Sequence, residues 1–281
     1  MATIACLNGE LTSIEDAKIS VWDRGFLFGD AVYEVILYRE GRYRLFDEHR
    51  SRLSRSLREI EIVGCDLERL YERMDRTVAA VGAADAIVYI HITRGVAPRR
   101  HAFPNPPVEP TELIVAWPYD DSTNAMLRET GVGVIAAADL RWKRRDIKST
   151  NLLANVLACE EAKRADCFEA ILYDDEGYIT EATHSSLLWV RDDELQATAE
   201  GFEILPGTTR RFVVELAREE RIPFVERRIS LDELKDSDEI LLAGTSIEIL
   251  PVVAIDSDKV GDGKPGPTTR RLQAAYQRLA R

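Results

Sequence analysis

One lysine stands where it could act as an amine nucleophile. The segment Arg141–Leu153 reads RWKRRDIKSTNLL, with five basic residues in its first eight positions. Such a stretch is usually a solvated, charged face. Lys148, however, follows Ile147 and precedes a Ser-Thr-Asn helix start, so the chain is expected to turn inward there. A lysine in a dry pocket or beside other cations loses its proton more readily and becomes a usable nucleophile. The pattern leaves both interpretations open.

A carboxylate and a helix start in the second half could bind a ring that carries a phosphate. Glu181 ends a predicted strand in YITEATHSS, and a carboxylate there could keep a ring nitrogen protonated. Gly207, Thr208 and Thr209 open a predicted helix, and the N–H groups and dipole of such an end favour a phosphate. Thr245, in a Gly-Thr-Ser run between two strand-like stretches, could add a hydroxyl. The alternatives are a surface glutamate and an ordinary helix cap.

A proline-bracketed loop supplies two cationic side chains. Gly95–Pro110 contains five prolines and is too long for a simple connection, which is typical of binding loops. Arg99 and His101 lie two positions apart in this loop. Paired cationic donors suit a substrate carboxylate, and the alternative is a solvated basic loop.

Strands and helices in groups must position these residues. The first half predicts the strands Ile4–Asn8, Ala31–Tyr38, Ala86–Thr93 and Leu113–Trp117 and the helices Phe46–Ile60 and Leu67–Val81. The second half predicts the strands Val132–Ala138, Ala170–Tyr173, Tyr178–Glu181, Ser186–Arg191, Glu239–Ala243 and Val252–Asp256 and helices from about Asn151 to Arg164, after Leu205 and over Thr268–Arg281. This order predicts an α+β fold of two domains, residues 1–118 and 125–281, joined by a polar linker at 119–124.

Composition argues against several classes of partner. With 37 Lys and Arg against 49 Asp and Glu, the net charge of −12 lacks the basic footprint of a nucleic-acid or anionic-membrane binder. No apolar run approaches the length of a membrane span, and the first residues show no secretory signal. The four cysteines form no C-x-x-C pair and the four histidines no metal-binding motif. We therefore expect reduced thiols in a cytoplasmic protein without a bound metal.

The order and spacing of the motifs resemble one family. The sequence DRGFLFGDAVYEV at Asp23–Val35 resembles the fold-type IV pyridoxal-phosphate (PLP) enzymes, and specifically the D-amino-acid transaminases. The similarity continues through TRG-x-x-PR-x-H-x-FP, DIKS-x-NLL, ITEA and GTTR, so it covers nearly the whole chain. Ala31 stands where a glycine is usual. Ala182–Ser186 reads ATHSS where a Gly-Ser-Ser-Ser-Asn run is common, so His184 leaves the pocket detail and the substrate range open.

The resemblance implies how the cofactor is bound. Lys148 would carry PLP as a Schiff base and shuttle the proton, and Glu181 would pair with the pyridine nitrogen. The phosphate would be bound by Arg52, Thr208, Thr209 and Thr245. The cofactor would lie between the two domains.

The resemblance also implies the substrate site. Tyr33, Arg99 and His101 would bind the α-carboxylate, the last two from the other subunit of a homodimer, and Tyr89 would line the pocket. The expected activity is ping-pong transamination of D-amino acids such as D-alanine and D-glutamate with 2-oxo acids such as 2-oxoglutarate or pyruvate.

Three other functions fit the resemblance less well. A branched-chain L-amino-acid aminotransferase shares the fold, but the trap of Tyr33, Arg99 and His101 is the D-specific arrangement. An aminodeoxychorismate lyase shares the fold and the lysine, and it would form pyruvate without an amino acceptor. A non-catalytic protein on this fold would be expected to have lost Lys148 or Glu181.

Overall fold

The computed structural model describes residues 2–279. The chain divides into two compact units, Met1–Asp120 with Ile147–Asn151, and Asp121–Asp146 with Leu152–Arg281. The sequence pattern grouped residues 147–151 with the second half. They belong to the first unit because their backbone groups form hydrogen bonds with a strand of that unit.

The first unit is built on six strands and three helices. The strands are β1 (Ile4–Leu7), β2 (Glu10–Ser13), β3 (Ala31–Arg39), β4 (Arg42–Tyr43), β5 (Ala86–Thr93) and β6 (Thr111–Pro118). The helices are α1 (Arg24–Phe28), α2 (Phe46–Glu59) and α3 (Leu67–Val81). The strands form one antiparallel sheet in the order β2-β1-β6-β5-β3-β4.

Local sequence explains the elements that were predicted best. The side chain of Asp66 accepts a hydrogen bond from the N–H of Arg69 at 3.2 Å and starts α3, and Gly82 ends it in the left-handed region at φ +67°. The predicted bounds of α3 and β5 are confirmed. In β5, Val88 and Ile90 are buried in the core that α2 and α3 cover, whereas Tyr89 and His91 are half-buried, so the strand has two distinct faces.

The described part of the second unit contains nine strands and five helices. The strands are β7 (Val132–Ala138), β8 (Glu169–Tyr173), β9 (Ile179–Ala182), β10 (Ser186–Arg191), β11 (Glu194–Ala197), β12 (Phe224–Glu226), β13 (Glu239–Gly244), β14 (Glu248–Ile255) and β15 (Asp258–Lys259). The helices are α4 (Ser122–Thr130), α5 (Leu153–Arg164), α6 (Thr208–Glu219), α7 (Leu231–Lys235) and α8 (Pro267–Leu279). The sheet is mixed, in the order β12-β11-β10-β13-β14-β7-β8-β9, with β15 paired to β14.

Several boundaries differ from the sequence prediction; strand β14, for example, begins at Glu248 and not at Val252. Two of the differences lie where the chain passes from one unit to the other. Helix α4 begins at Ser122, inside the polar stretch predicted as a linker. Helix α5 begins at Leu153 rather than near Asn151, because the Asn151 Nδ2 donates to the carbonyl of Gly29 at 3.1 Å and holds this residue against the first unit. The last two residues of the helix predicted to end at Arg281 lie outside the described residues.

The combination of helices with antiparallel and mixed sheets confirms the predicted α+β class. Between residues 2 and 279, no helix has the length and apolar character needed to cross a lipid bilayer.

Candidate active site

Lys148 lies in a short segment that bonds to β3 in the first unit. The N–H of Tyr33 donates to the carbonyl oxygen of Lys148 at 3.0 Å, and the Lys148 N–H donates to Oγ of Ser56 at 3.4 Å. The preceding residue, Ile147, is buried in the core. The N–H of Ser149 donates to the carbonyl of Ile147 at 2.8 Å, so the chain turns tightly at Lys148, whose side chain lies beside Tyr33 and not in that core.

The Lys148 side chain is half-buried beside aromatic rings. Its Nζ lies 4.3 Å from the centroid of the Tyr33 ring, and the rings of Tyr33 and Tyr89 are 5.8 Å apart. The Tyr89 hydroxyl lies 3.1 Å from Nδ1 of His91. Burial, together with Tyr33, raises the pKa of Tyr89 to about 12, so its hydroxyl stays neutral and can donate a hydrogen bond at neutral pH. The structure therefore groups Lys148, Tyr33 and Tyr89, three residues that the resemblance assigns to the site.

A buried carboxylate, Glu34, orients the predicted phosphate-binding arginine. Arg52, on α2, donates from Nε and Nη2 to the two carboxylate oxygens of Glu34 at 2.7 and 2.8 Å, and Nδ1 of His49 lies 2.7 Å from the same carboxylate. Burial acts to raise the pKa of Glu34, but Arg52 and His49 outweigh it and lower that pKa to about 2. Burial lowers the pKa of His49, and the charges of Arg52 and Lys148 lower it further. Arg52 and Lys148 therefore both lie close enough to His49 to disfavour its protonated form.

Glu181 is a buried carboxylate of the second unit. It lies on β9 and is 6% exposed, and Nη1 of Arg141 contacts it. Arg141 is itself held by Asp139, at 2.7 and 2.9 Å. The N–H of Leu205 donates to both oxygens of Glu181 at 3.2 Å. Burial raises the pKa of Glu181, and Arg141 and Leu205 oppose this rise without cancelling it. The ionised form of Glu181 would therefore be stabilised by a further cation.

The start of α6 has the features of an anion site. Its N-cap is Gly207, which has no side chain to cap the helix, and the first two helical residues, Thr208 and Thr209, are buried. A Cβ on Gly207 would come within 2.2 Å of Oγ of Ser186, so this close approach requires glycine. The helix dipole and the first N–H groups favour a phosphate at such an end.

Thr245 belongs to a turn that lies beside Ser185 and Ser186, near the start of α6. It follows Gly244 in the turn between β13 and β14 and is half-buried. A Cβ on Gly244 would lie 3.6 Å from Oγ of Ser185, the residue next to Ser186. The turn of Thr245 and the start of α6 therefore flank two adjacent serines, and the structure brings the predicted phosphate-binding threonines to one region of the second unit.

Arg99 and His101 lie in an exposed loop that packs on α1. The guanidinium carbon of Arg99 is 5.3 Å from the centroid of the Phe28 ring, and the rings of His101 and Phe28 are 5.4 Å apart. The side chain of Arg24, the first residue of α1, donates hydrogen bonds to the backbone of this loop. The two predicted carboxylate ligands therefore converge on one aromatic residue of the first unit.

His184, which departs from the family pattern, lies beside Cys159 and Glu169. Its side chain is 53% exposed, and its Nδ1 is 3.1 Å from Oε1 of Glu169 and 3.8 Å from Sγ of Cys159. Glu169 is fully buried and accepts the N–H groups of His184 and Ser185 at 2.6 and 3.0 Å. These contacts fix the turn that follows Glu181.

Sequence reasoning missed Glu34, His49 and Arg141. A signal for Glu34 was available, because it is a charged residue between Val32 and Ile36 on the buried face of a strand. Arg141 was hidden in a basic stretch for which a solvated face was one interpretation. That interpretation is wrong for Arg141, whose side chain is 8% exposed and which contacts two carboxylates.

Known proteins are similar to this chain in sequence over nearly its whole length. The family model described as amino-transferase class IV matches residues 31–255. The D-alanine aminotransferases of Staphylococcus epidermidis and Bacillus licheniformis are 38% and 36% identical over 273 and 274 residues, which cover 97% and 96% of this chain and 96% and 94% of those proteins.

Solved structures of related enzymes are also similar. The Escherichia coli branched-chain amino acid aminotransferase matches with a TM-score of 0.91 at 28% identity over 99% of this chain and 95% of that one. The T.th. branched-chain amino acid aminotransferase with pyridoxamine 5'-phosphate matches with a TM-score of 0.90 at 26% identity over 100% of this chain and 94% of that one. The family resemblance is confirmed: this chain belongs to the class IV aminotransferases, a family of PLP-dependent enzymes.

Proposed function

We propose that this protein catalyses the PLP-dependent transamination of D-amino acids with 2-oxo acids by a ping-pong mechanism. The observation that carries the proposal is a short connection in the second unit. Leu205, whose N–H binds Glu181, stands two residues before Gly207, the N-cap of α6. A partner for a ring nitrogen and a site for a phosphate are thereby held by one stretch of chain. The D-alanine aminotransferase relatives support the substrate class.

The residues present fit the phosphate of PLP. Thr208 and Thr209 would offer backbone N–H groups and hydroxyls at the start of α6, and Thr245 would offer a hydroxyl from the neighbouring turn. Arg52 would add a guanidinium whose positive charge is partly balanced by Glu34. Its two hydrogen bonds to Glu34 hold the plane of the guanidinium, so little conformational freedom remains to be lost on binding.

Glu181 fits the ring nitrogen. A buried carboxylate with a raised pKa is stabilised in its ionised form by a nearby cation, and a protonated ring nitrogen is such a cation. Arg141 and Leu205 would hold Glu181 in place for this contact. Bound PLP supplies an electron-withdrawing ring that stabilises negative charge at the substrate Cα.

Lys148 is the residue that we propose to bind the cofactor covalently and to move the proton. Its amine would take the proton from the substrate Cα and return it at C4′ of the cofactor. The hydrogen bond from Tyr33 to its carbonyl fixes the backbone from which the side chain reaches. The face of the Tyr33 ring, 4.3 Å from Nζ, attracts the protonated amine and holds it between the two transfers.

Tyr33, Arg99 and His101 are the proposed ligands of the substrate carboxylate, with Tyr89 lining the pocket. An arginine binds a carboxylate through two parallel hydrogen bonds, which fixes its orientation as well as its position. Fixing the carboxylate decides which substituent of Cα faces Lys148. The site is therefore expected to be stereospecific, and the D-alanine aminotransferase relatives support the D configuration.

We further propose that the protein works as a cytoplasmic homodimer in which a second copy supplies Arg99 and His101. Phe26 lies on α1, the helix on which this loop packs, and Val21 lies just before that helix. Both are 68% exposed, as is expected of a surface that a partner covers. The free cysteines support a reducing compartment. Mixing Arg99→Ala and Lys148→Ala subunits tests the arrangement, since a hybrid dimer would regain one intact site. Mixtures whose rate at low substrate concentration stays at the average of the two parent proteins after subunit exchange would contradict it.

The competing function is transamination of branched-chain L-amino acids, because the E. coli and T.th. structures are branched-chain enzymes. Their 26–28% identity is lower than the 36–38% of the D-alanine aminotransferases. The presence of Tyr33, Arg99 and His101, which the resemblance identifies with the D-specific trap, also favours the D assignment. An aminodeoxychorismate lyase would be recognised by pyruvate formation without an amino acceptor.

A substrate panel tests the proposal. D-alanine, D-glutamate, L-leucine and L-valine are each supplied with 2-oxoglutarate or pyruvate, and oxo-acid formation is measured. We expect the D-amino acids to react at least about tenfold faster, a difference of about 1.4 kcal/mol in the barrier. Faster reaction of the L-amino acids would replace the proposal with the branched-chain alternative.

The same assay tests Lys148. Lys148→Ala should lower the rate by about 10²–10⁴, the range for loss of a general acid–base. The matched control is Lys143→Ala, which removes an exposed lysine five residues earlier and should leave the rate unchanged. Borohydride should reduce the Schiff base, so that the cofactor stays attached to the Lys148 peptide in wild type and in the control. Near-wild-type activity of Lys148→Ala would refute the assignment.

A further inference from the structure

Arg24 holds the loop of Arg99 and His101 from within the first unit. Its Nη1 donates to the carbonyl oxygens of Arg100 and Ala102 at 2.6 and 3.3 Å, and its Nη2 donates to that of His101 at 3.2 Å. The Arg24 side chain is 4% exposed. One buried guanidinium therefore binds three consecutive carbonyl groups in the part of the loop that carries the two cationic side chains.

The guanidinium of Arg24 is itself held in a fixed plane. Its Nε donates to Oδ2 of Asp30 at 2.8 Å, and Arg94 donates to both oxygens of the same carboxylate at 2.8 and 3.0 Å. Arg94 also donates to the carbonyl of Glu61 at 2.7 Å, which ties the group to the chain after α2. Asp30 is thus fixed by two arginines, and it orients Arg24 toward the loop.

The base of the loop is attached by the backbone beside Arg24. The N–H of Arg24 donates to the carbonyl of Gly95 at 3.0 Å, and the N–H of Ala97 donates to that of Trp22 at 3.3 Å. Farther along, Phe103 lies under the guanidinium of Arg94, whose central carbon is 3.6 Å from the ring centroid. Attachments on both sides leave the central carbonyls to be fixed by the side chain of Arg24.

We propose that Arg24 is a positioning residue for the substrate carboxylate, which acts through the loop and does not touch the substrate. The inference rests on the proposed function, because it takes Arg99 and His101 as the carboxylate ligands. The three carbonyl groups direct their negative ends at Arg24, and its guanidinium compensates their charge. The same contacts set the loop in its binding conformation before the substrate arrives, which lowers the entropy lost on binding.

Steady-state kinetics on the holoenzyme test this role. Arg24→Gln removes the charge and most of the donors, and it should raise KM for D-alanine about tenfold while kcat changes by less than about twofold, because loop order affects binding more than the chemical step. Arg24→Lys keeps the charge but not the fork, so its KM should fall between the two. The matched control is Arg39→Gln, which breaks an ion pair with Asp85 at the far end of β3 and should leave KM unchanged.

A double-mutant cycle then separates positioning from general stability. If Arg24 acts through Arg99, then Arg24→Gln in an Arg99→Ala background should raise KM by clearly less than it does alone. Independent effects that multiply, a loss of kcat at unchanged KM, or a wild-type KM for both Arg24 variants would each overturn the proposal. Failure of both variants to fold, seen as loss of the melting transition, would assign Arg24 to stability and overturn it too.

The readout uses whichever amino acid the substrate panel identifies. If wild type prefers an L-amino acid, the D assignment fails and Arg24 is still tested on the accepted substrate. A wild-type KM with that substrate would refute the positioning role alone.

Discussion

Glu34 in the first unit and Glu181 in the second are both buried carboxylates beside an arginine, yet their pKa values move in opposite directions. Glu34 receives two hydrogen bonds from Arg52 and contacts His49, and its pKa is lowered to about 2. Glu181 is bound by one nitrogen of Arg141 and by one backbone N–H, and burial keeps its pKa raised. Number and charge of the donors decide the outcome, since burial opposes ionisation in both cases.

The difference separates a structural carboxylate from one that is poised for a ligand. The negative charge of Glu34 is balanced within the first unit by a bidentate arginine. Arg141 divides its donors between Glu181 and Asp139, so the charge of Glu181 is balanced less completely. We infer that Glu34 serves mainly stability and that Glu181 serves the cofactor.

The largest expected effect comes from Glu34→Gln. Removing one partner of a buried ion pair leaves the other charge uncompensated, so the free energy of unfolding should fall by about 3–5 kcal/mol. Urea unfolding measures the change. The matched control is Glu40→Gln, which removes an exposed i,i+4 partner of Arg44 and should cost less than about 0.5 kcal/mol.

The pH dependence of the same measurement checks the sign. The pKa of Glu34 is about 2 in the folded protein and about 4.5 ordinarily, so its contribution is fully present above pH 4.5 and is lost as the pH falls toward 2. Wild type and Glu34→Gln should therefore converge in stability at low pH. Equal stability of the two proteins at pH 7 would contradict the structural role.

A smaller effect, on catalysis rather than on folding, is expected from Glu181→Gln. An amide cannot hold the ring nitrogen protonated, so the single-turnover rate at Cα should fall by about 10²–10³, or about 2.7–4 kcal/mol. The free energy of unfolding should change far less than in Glu34→Gln, because the raised pKa shows that burial disfavours this charge in the folded protein. The control is Glu176→Gln, an exposed glutamate of the same unit. An unchanged single-turnover rate would remove Glu181 from the site.

The smallest effect is expected at the start of α6. Thr209→Val removes one hydroxyl but keeps the backbone N–H groups and the helix dipole, so PLP affinity should fall by about 0.5–1.5 kcal/mol. Equilibrium titration of the apoenzyme with PLP measures it, with Thr130→Val, an exposed threonine on α4, as the control. If the loss of PLP binding free energy were as large as the barrier increase expected for Glu181→Gln, the hydroxyl would do more than add one hydrogen bond.

The sequence was informative where local pattern decides structure. The predicted bounds of α3 and β5 match the structure, because the caps of α3 and the alternation of apolar residues in β5 are local features of the sequence. Motif order identified Lys148, Glu181 and the threonines as candidates. The structure places Lys148 in the first unit and the other candidates in the second. Their roles in binding stay predictions.

What the sequence could not provide was pairing over long separations. Alternation marks Glu34 as inward-facing but does not name Arg52, 18 residues away, as its partner. Arg141 and Glu181 are 40 positions apart, and nothing in a basic stretch distinguishes the arginine that folds inward. The membership of Ile147–Asn151 in the first unit depends on hydrogen bonds to β3, more than 100 residues earlier.

The short return of the chain at Ile147–Asn151 has a consequence for how the protein is made. A nascent chain that has emerged as far as Asp120 has every helix and strand of the first unit, but it lacks the segment that bonds to β3 near Tyr33 and the lysine with it. The first unit can be completed only after residue 151 has left the ribosome, when the first helix and strand of the second unit are already synthesised. A gene cut at the boundary near residue 120 would therefore yield no interchangeable modules, because recombination there separates Lys148 from the strand that positions it.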